Sequence, residues 1–273
     1  MAYNLLAGKV GIISGALNSQ SIAWKVALKA KEEGAIFTLT NAPIAMRMGA
    51  INDLAKQCDA EIIPADATSV EDIENLFTKS TEILGGKIDF VLHSIGMSLN
   101  VRKGKEYGDL NYEWFQKGLD ISAISLHKFL QVGEKLDAIN DWGSVVALSY
   151  IAAQRTYSFY NDMAEAKALL ESIARSYGYR YGKAKNVRVN TISQSPTKTK
   201  AGSGIAGFDA FYEFADKMSP LGNASADDCA NYAITLFSDL TRFVTMQNLY
   251  HDGGYSSTGI SEELVTMIQE QHK

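Results

Sequence analysis

Residues 10–23 read VGIISGALNSQSIA, an apolar run of high β propensity followed by a glycine and the start of a helical pattern. Val10–Ser14 is typical of a buried strand, and the apolar spacing over 21–33 predicts a helix. Gly15 allows the tight turn that connects the two. The stretch therefore predicts the first strand, turn and helix of an α/β sheet.

The same alternation of strand and helix continues along the chain. Further strands are predicted at 36–40, 61–66, 89–94, 144–149, 187–193 and 246–254. Helices are predicted near 21–33, 47–57, 69–84, 112–138, 160–182 and 226–238. Apolar strands separated by helices indicate a parallel sheet with both faces covered. We predict an α/β fold with a Rossmann-like, doubly wound parallel sheet of seven strands, flanked by helices on both faces.

No linker, repeat or change of composition divides the chain, so we predict a single dinucleotide-binding and catalytic domain over residues 1–273. Residues 196–218 begin with Thr, Lys and Gly and continue with four aromatic residues, Phe208, Phe211, Tyr212 and Phe214. We expect a substrate-binding loop and short helix near 197–218 that close over an apolar ligand. Packing of the aromatic residues on the body of the protein explains the pattern equally well.

Composition narrows the class of protein. The chain has 46% hydrophobic residues, four prolines and a net charge of −5. No apolar run approaches the roughly 20 residues that span a bilayer, so no membrane partner is expected. The acidic balance argues against general affinity for nucleic acid. The N-terminus carries no signal-peptide pattern, and Cys58 and Cys229 form no metal or disulfide motif, so we expect a cytoplasmic protein without a metal site.

The turn after the first strand is a candidate phosphate site. Gly15 is followed by a helix N-terminus, where free N–H groups and the helix dipole favour a pyrophosphate. With one glycine where the usual fingerprint has three, this motif is weak by itself.

The ends of the next strands bear on the choice of cofactor. Asn41 can hydrogen-bond a ribose but offers no charge to a phosphate, which favours NADH over NADPH, although Arg47 follows soon after. Asp66 and Ser94-Ile95-Gly96 close the third and fourth strands, where such folds receive adenine and ribose. A turn or helix cap explains Asp66 equally well.

A second stretch, SYIAAQRTYSFYNDMAEAK at 149–167, places three tyrosines and a lysine between a strand and a helix. Seven helical residues return to within about 20° of one face and rise about 10 Å, so Tyr160 and Lys167 are predicted to share a helical face. An ammonium group nearby favours phenolate and strengthens the phenol as a hydrogen-bond donor. Taken alone, the aromatic residues are explained equally well as packing.

Together these motifs resemble the short-chain dehydrogenase/reductases and, within them, the type I enoyl-acyl-carrier-protein reductases of bacterial fatty-acid synthesis. The similarity covers nearly the whole chain, in the motifs Gly15-x5-Ser21-Ile22-Ala23, His93-Ser94-Ile95-Gly96, Asp120-Ile121-Ser122, Leu148-Ser149-Tyr150, Tyr160-x6-Lys167, Arg188-Val189-Asn190, Pro196-x-Lys198-Thr199 and His251-Asp252-Gly253-Gly254. The most specific is Tyr160-x6-Lys167 with Tyr150 ten residues before Tyr160. One departure is Ser195, which stands where the family has a glycine near the nicotinamide, so a positive φ there is in question.

The resemblance implies reduction of the trans-2 double bond of enoyl thioesters on acyl carrier protein, by hydride transfer from NADH. It implies a homotetramer built through the helices at 112–138 and 160–182. It also implies that Tyr150, Tyr160 and Lys167 are catalytic, with Tyr160 donating to the thioester oxygen and Lys167 holding the nicotinamide ribose.

The same resemblance implies the ligand contacts. It places the cofactor against Gly15, Ser21, Ile22, Asn41, Asp66, Ala67, Ser94, Ile95, Gly96, Lys167, Pro196, Thr197 and Thr199. We expect a substrate pocket formed by Tyr150, Tyr157, Tyr160, Met163 and Phe208, although core packing also explains Met163 and Tyr157. Lys198 and Lys200 are candidates for contact with the acidic carrier protein, or a solvated pair.

Two rival functions stay open here. A short-chain carbonyl reductase has Tyr-x3-Lys, whereas this chain has Ala164 four residues after Tyr160 and Asn161 four residues after Tyr157. A non-catalytic NAD(P)-binding regulator keeps the fold but has no need of Tyr160 and Lys167. His93, at a strand end without a carboxylate partner, is expected to be structural.

Overall fold

The computed structural model describes residues 2–47, 49–199, 202 and 207–271. Within these residues six strands form one sheet in the order β2-β1-β3-β4-β5-β6, and every neighbouring pair is parallel. The strands are β1 (Val10–Ser14), β2 (Ile36–Thr40), β3 (Ile88–His93), β4 (Ile139–Ser149), β5 (Arg188–Gln194) and β6 (Asn248–His251). The Rossmann-like, doubly wound prediction is confirmed.

Helices connect the strands and cover both faces of the sheet. They are α1 (Ile22–Glu32), α2 (Pro43–Met46), α3 (Ala50–Cys58), α4 (Val70–Ile83), α5 (Leu99–Arg102), α6 (Tyr112–Leu119), α7 (Ser125–Lys135), α8 (Met163–Lys185), α9 (Phe208–Met218), α10 (Ala226–Phe237) and α11 (Glu262–Gln271). A π-helical turn, Asp120–Ile124, joins α6 to α7. In the described part of the chain, no helix is long and apolar enough to cross a membrane.

The prediction of seven strands was wrong, because residues 61–66 do not form a strand. They run beside β2 and make a single parallel bridge, between Leu39 and Ile62. The backbone N–H of Ile63 donates to the Leu39 carbonyl at 2.9 Å, and that of Ala65 donates to the Asn41 carbonyl at 3.1 Å. These bonds reach only Leu39, near the end of β2, and Asn41 beyond it, so the segment covers the end of the β2 edge without forming a strand.

Neighbouring residues of the central strands supply two separate cores, because successive side chains in a strand point to opposite faces. Ile12, Val91, Val145 and Val189 pack against α4, α7 and α8. Ile13, Leu92, Val146 and Ile192 pack against α1, α3 and α10. Each strand is therefore apolar on both faces, which is the continuous apolar pattern seen in the sequence.

The order of the strands creates a crevice at one edge of the sheet. The chain leaves β1 for β2 on one side and later returns to β3 on the other side of β1. At such a switch point the connections after the two strands diverge, and ligands of open α/β sheets bind between them. We therefore expect a ligand site between the turns that follow β1 and β3.

Candidate active site

The turn between β1 and α1 passes close to the end of β3. Gly15 has a φ of 91°, and a Cβ atom there would lie 1.9 Å from the carbonyl oxygen of Ser94. The backbone conformation and the close approach both require glycine. The structure thus brings together two residues that the sequence assigned to the cofactor site.

Ser21 organises the same turn. Its Oγ atom accepts hydrogen bonds from the backbone N–H groups of Leu17 and Asn18, both at 3.2 Å. The next residue, Ile22, begins α1, so the N–H groups of the first helical turn lie at the carboxyl edge of the sheet. A helix terminus in this position can hold a phosphate.

The side chain of Asn41 ties the end of β2 to this turn. Its Nδ2 atom donates to the Ala16 carbonyl at 2.9 Å, and its Oδ1 atom accepts from the N–H of Ala42 at 2.8 Å. An amide NH2 group has two N–H donors, so one is left for a ribose hydroxyl. The contact with ribose itself stays a prediction.

Asp66 closes a turn of its own. Its Oδ1 atom accepts from the N–H and the hydroxyl of Thr68, at 2.9 Å and 2.7 Å. These hydrogen bonds lower the pKa of the Asp66 carboxyl. The cap explanation of Asp66 is therefore confirmed, and its contact with the cofactor stays a prediction, as does that of the neighbouring buried Ala67.

The segment after β3 runs past the lysine of the predicted catalytic group. Ile95 packs against the core formed with α4, α7 and α8. A Cβ atom at Gly96 would lie 3.6 Å from both Nζ of Lys167 and Cε of Met163. Ser122, in the π-helical turn, accepts a hydrogen bond from the N–H of Met97 at 2.9 Å and so holds this segment against that turn.

Tyr150 lies directly after β4 in a cluster of aromatic rings. Its ring centroid is 5.0 Å from that of Tyr160, 5.5 Å from that of Tyr157 and 6.2 Å from that of Phe211. The side chain is 9% exposed. Its hydroxyl oxygen is buried without a hydrogen-bond partner among the residues that the structure describes. A buried, unpaired phenol at the ligand-binding edge is free to bond a substrate.

Tyr160 lies on a turn before α8 and not on the helix, which begins at Met163. The helix predicted at 160–182 therefore begins three residues later, at Met163. The prediction that Tyr160 and Lys167 share a helical face was wrong. Asn161 has a φ of 42° and donates to the Lys105 carbonyl. Asp162, 2% exposed, follows it in the same turn.

Asp162 anchors this turn to the segment after β3. Its two carboxylate oxygens accept from the hydroxyl of Ser98 at 2.6 Å and from Nδ2 of Asn100 at 2.7 Å. Because buried carboxylates need such donors, this pair of bonds fixes the backbone immediately after Tyr160.

The phenols of the cluster are held neutral. Burial raises the pKa of Tyr150, of Tyr157 and of Tyr160 above the ordinary value for tyrosine. We expected the ammonium group of Lys167 to favour phenolate at Tyr160, and that expectation was wrong, because burial alone sets the direction of the Tyr160 pKa shift. Tyr160 is therefore a protonated hydrogen-bond donor at neutral pH.

Lys167 is buried in the middle of the site. It is 7% exposed, and its Nζ atom donates to the carbonyl oxygen of Leu148 at 2.7 Å. Burial lowers the pKa of Lys167 to about 8, against the opposing effect of Glu171. An ammonium group has three N–H donors, and one bond to Leu148 leaves donors for a ligand.

The segment after β5 does not have the positive φ that a glycine would allow at position 195, and hydrogen bonds of Ser195 hold it instead. Ser195 has no positive φ, its N–H donates to the His251 carbonyl at 3.0 Å, and its Oγ accepts from the N–H of Ala224 at 3.1 Å. Pro196 is buried beside it. The hydroxyl of Thr197 donates to the Ser195 carbonyl at 2.9 Å, and that of Thr199 accepts from the N–H of Gly202 at 3.1 Å.

A cavity of about 690 Å³ opens beside the aromatic cluster. Its lining includes Ile151, Tyr157, Phe159, Phe211, Phe214 and Tyr255. Phe208 is not among these residues, and its ring packs instead toward Gly202 and Tyr212. Met163 packs with Val101 and Ala166, and Tyr160 packs against this cluster.

His93 has the structural role expected for it. Its Nε2 atom lies 2.8 Å from Oγ of Ser125, which donates to the Ile121 carbonyl, so the histidine is the donor. Burial lowers the pKa of His93 to about 3, and the ring is neutral.

Sequence reasoning missed three residues of this site. Phe211 belongs to the aromatic residues of 196–218, but the sequence prediction of the pocket names Phe208 and not Phe211. Asp162 and Glu171 carried no motif, and their role depends on hydrogen bonds from residues distant in sequence. Helical spacing from Lys167 would have drawn attention to Glu171, four residues later.

The site fits a dinucleotide. The Gly15 turn and the α1 terminus lie at one end, and the buried, donor-bearing Lys167 and the unpaired Tyr150 hydroxyl lie at the other. The carboxyl edge of β1, β3 and β4 connects the two ends.

Comparison with known proteins agrees with this geometry. The chain is 38% identical over 264 residues to an enoyl-[acyl-carrier-protein] reductase [NADH] FabI of Rickettsia bellii, over 95% of this chain and 98% of that protein. A crystal structure of the FabI-NADH complex of Alistipes finegoldii superposes with a TM-score of 0.94 at 68% identity, covering 95% of this chain and 92% of that one. An enoyl-acyl carrier protein reductase of Bacillus cereus, solved with NADP+ and indole naphthyridinone, superposes with a TM-score of 0.88 at 28% identity, covering 95% and 100%. The sequence pattern of the enoyl-(acyl carrier protein) reductase family matches residues 15–256, and the chain belongs to that family.

Proposed function

We propose that this chain reduces the trans-2 double bond of enoyl thioesters on acyl carrier protein, with NADH as the hydride donor, in bacterial fatty-acid biosynthesis. The observation that carries the proposal is the meeting of buried Lys167, Tyr150 and Tyr160 at the carboxyl end of β4 in a member of this family. The relatives named as NADH-dependent support the choice of cofactor.

The two tyrosines are proposed to stabilise the negative charge that forms on the thioester oxygen. When bound, NADH supplies the hydride that adds to the β-carbon of the substrate. The neutral phenol of Tyr160 donates a hydrogen bond to the thioester oxygen as its charge grows. The unpaired hydroxyl of Tyr150 is a second donor, and the surrounding aromatic rings exclude water, which strengthens both bonds.

Lys167 is proposed to hold the ribose next to the nicotinamide. Its anchor on the Leu148 carbonyl fixes Nζ, and its other N–H groups are donors for the ribose hydroxyls. Thr197 and Thr199 are proposed to contact the nicotinamide carboxamide and the phosphates. The Gly15 turn and the start of α1 are proposed to hold the pyrophosphate, with Asn41 and Asp66 toward the adenosine.

The acyl chain is proposed to occupy the 690 Å³ cavity. Tyr157 and Phe211 line it and adjoin Tyr150, which supports a path from the thioester to the apolar lining. Lys198 is exposed over the ring of Tyr212, 4.4 Å from its centroid, and remains a candidate for contact with the carrier protein. Lys200, the second candidate, lies outside the described residues.

We also propose that one catalytic domain per chain assembles into a homotetramer in the cytoplasm. All described strands belong to one sheet, which supports the single domain. A groove of about 900 Å³ is lined by α7 and α8, which lie within the predicted interface helices at 112–138 and 160–182, and this supports that interface. The free thiols of Cys58 and Cys229 agree with a reducing compartment. Light scattering of the purified chain measures the assembly, and a monomer would contradict this part of the proposal.

The test of the activity is NADH oxidation with trans-2-enoyl thioesters of increasing chain length, repeated with NADPH. We expect turnover with NADH, a fall of about 10²-fold in kcat for Tyr160→Phe, and a change of only a few fold for Tyr157→Phe. Binding of NADH without oxidation of any enoyl thioester would favour the regulator instead.

A further inference from the structure

Glu171 is a buried carboxylate on α8, one helical turn beyond Lys167. It is 3% exposed. Its Oε1 atom accepts from the hydroxyl of Ser149 at 2.6 Å, and its Oε2 atom accepts from Nε2 of Gln154 at 3.1 Å. Both donors are neutral, so the cost of burying this charge is not offset by a contacting cation. The catalytic roles proposed above make no use of it.

Lys167 and Glu171 hold two consecutive residues of β4. Lys167 donates to the carbonyl of Leu148, and Glu171 accepts from the side chain of Ser149. Residues four apart lie on the same face of a helix, so both bonds come from one face of α8. Tyr150 follows directly, and the two bonds therefore fix the strand end from which its phenol extends.

Glu171 also provides the negative charge that acts on the pKa of Lys167. The neighbouring groups on other elements are the neutral ring of His93 on β3 and the protonated phenols of Tyr150 and Tyr160. Two more carboxylates lie on adjoining elements and are engaged elsewhere, Asp162 with Ser98 and Asn100, and Asp120 with Lys128. Among the charged groups described, Glu171 is the one that raises the pKa of Lys167 against burial.

We propose that Glu171 is a positioning residue, which fixes the end of β4 beneath Tyr150 and keeps Lys167 protonated while the cofactor binds and reacts. The inference rests on the proposed function, in which Lys167 holds the cofactor ribose. A neutral amine donates more weakly than an ammonium group, so loss of the proton weakens both the ribose contact and the electrostatic support of the reaction.

Three variants separate the charge of Glu171 from its hydrogen bonds. Glu171→Gln keeps the size and an acceptor for Ser149 but removes the charge. Glu171→Asp keeps the charge, and Ser149→Ala removes one hydrogen bond while leaving the charge in place. Each is measured for NADH binding by fluorescence and for kcat/KM with a trans-2-enoyl thioester, both across pH, with circular dichroism to establish folding.

We expect the alkaline loss of NADH affinity and of kcat/KM to move to lower pH by about one pH unit or more in Glu171→Gln. In Glu171→Asp and Ser149→Ala this alkaline loss stays at the pH of the wild type, although kcat falls. An unmoved profile in folded Glu171→Gln overturns the inference. If Glu171→Gln does not fold, Glu171→Ala takes its place with the same measurements: a profile moved to lower pH supports the inference, and an unmoved one overturns it. A wild type that binds NADH but reduces no enoyl thioester contradicts the proposed function alone, because the binding profiles still decide the role of Glu171.

Discussion

Replacing Lys167 with methionine separates the cost of burying an ammonium group from its use in the reaction. Burial lowers the pKa of Lys167 from 10.5 to about 8. A fall of that size corresponds to about 3 kcal/mol of unfavourable free energy in the protonated folded state. The substitution also removes the donor to the Leu148 carbonyl, which costs about 1–3 kcal/mol. The two effects oppose each other, so we expect a free energy of unfolding within about 2 kcal/mol of the wild type, while enoyl reduction falls about 10²-fold or more.

The pH dependence gives the sign of the burial cost. The folded-state pKa of Lys167 lies below that of the unfolded chain, so the cost is complete below pH 8 and disappears as the pH rises toward 10.5. The wild type should therefore gain stability relative to Lys167→Met across this range. Urea unfolding of the protein without cofactor, at a series of pH values, measures the difference.

Lys128→Met is the matched control. Lys128 also donates to a backbone carbonyl, that of Thr68 at 2.8 Å, but it is paired with Asp120 at 2.6 Å. Its loss should lower the free energy of unfolding by about 1 kcal/mol or more without the same trend in pH. If Lys167→Met loses as much stability as this control, with no trend between pH 8 and 10.5, the reasoning about the buried charge is refuted.

Three further predictions concern the ends of the site. Gly15→Ala places a Cβ atom against a backbone oxygen and should lower the free energy of unfolding, measured in urea, by about 3 kcal/mol or more. Gly8→Ala, at a φ of 75° with no atom within 4 Å, should lower it by about 1 kcal/mol. Equal losses in the two variants would contradict the close approach at Gly15. Phe211→Ala should raise KM for long enoyl thioesters about 10-fold through lost apolar contact, and Phe208→Ala should raise it less, so the reverse order would place the acyl chain elsewhere. Ser195→Gly should lower the free energy of unfolding by about 1–2 kcal/mol, because the hydrogen bonds of the buried hydroxyl are lost. Its turnover should stay within a few fold of the wild type. A large gain in turnover would show that the serine strains the site.

The fold followed from the sequence because its strands are apolar on both faces and alternate with helices. The exception is 61–66, where Ile62 and Ile63 give a strand pattern but the segment meets only the end of β2, through one bridge. The strand count was decided by where this segment meets the sheet edge, which the apolar pattern does not report.

The site was predictable where chemistry is carried by local motifs, as at Gly15 and Lys167. It was less predictable where the fold brings distant residues together. The start of α8 at Met163 could not be read from the spacing of Tyr160 and Lys167, because the turn before it is fixed by hydrogen bonds that Ser98 and Asn100 donate to Asp162. The protonation of Tyr160 depends on burial, which spacing does not report.

The position of isotope in the product tests the central claim most directly. NADH carrying deuterium at the transferred position of the nicotinamide is incubated with the enzyme and a trans-2-enoyl thioester, and the product is analysed by mass spectrometry and NMR. The proposal predicts a saturated acyl thioester with one deuterium on the β-carbon and a solvent-derived proton on the α-carbon. A product in which the double bond survives and a carbonyl has been reduced, or one without deuterium, would contradict it.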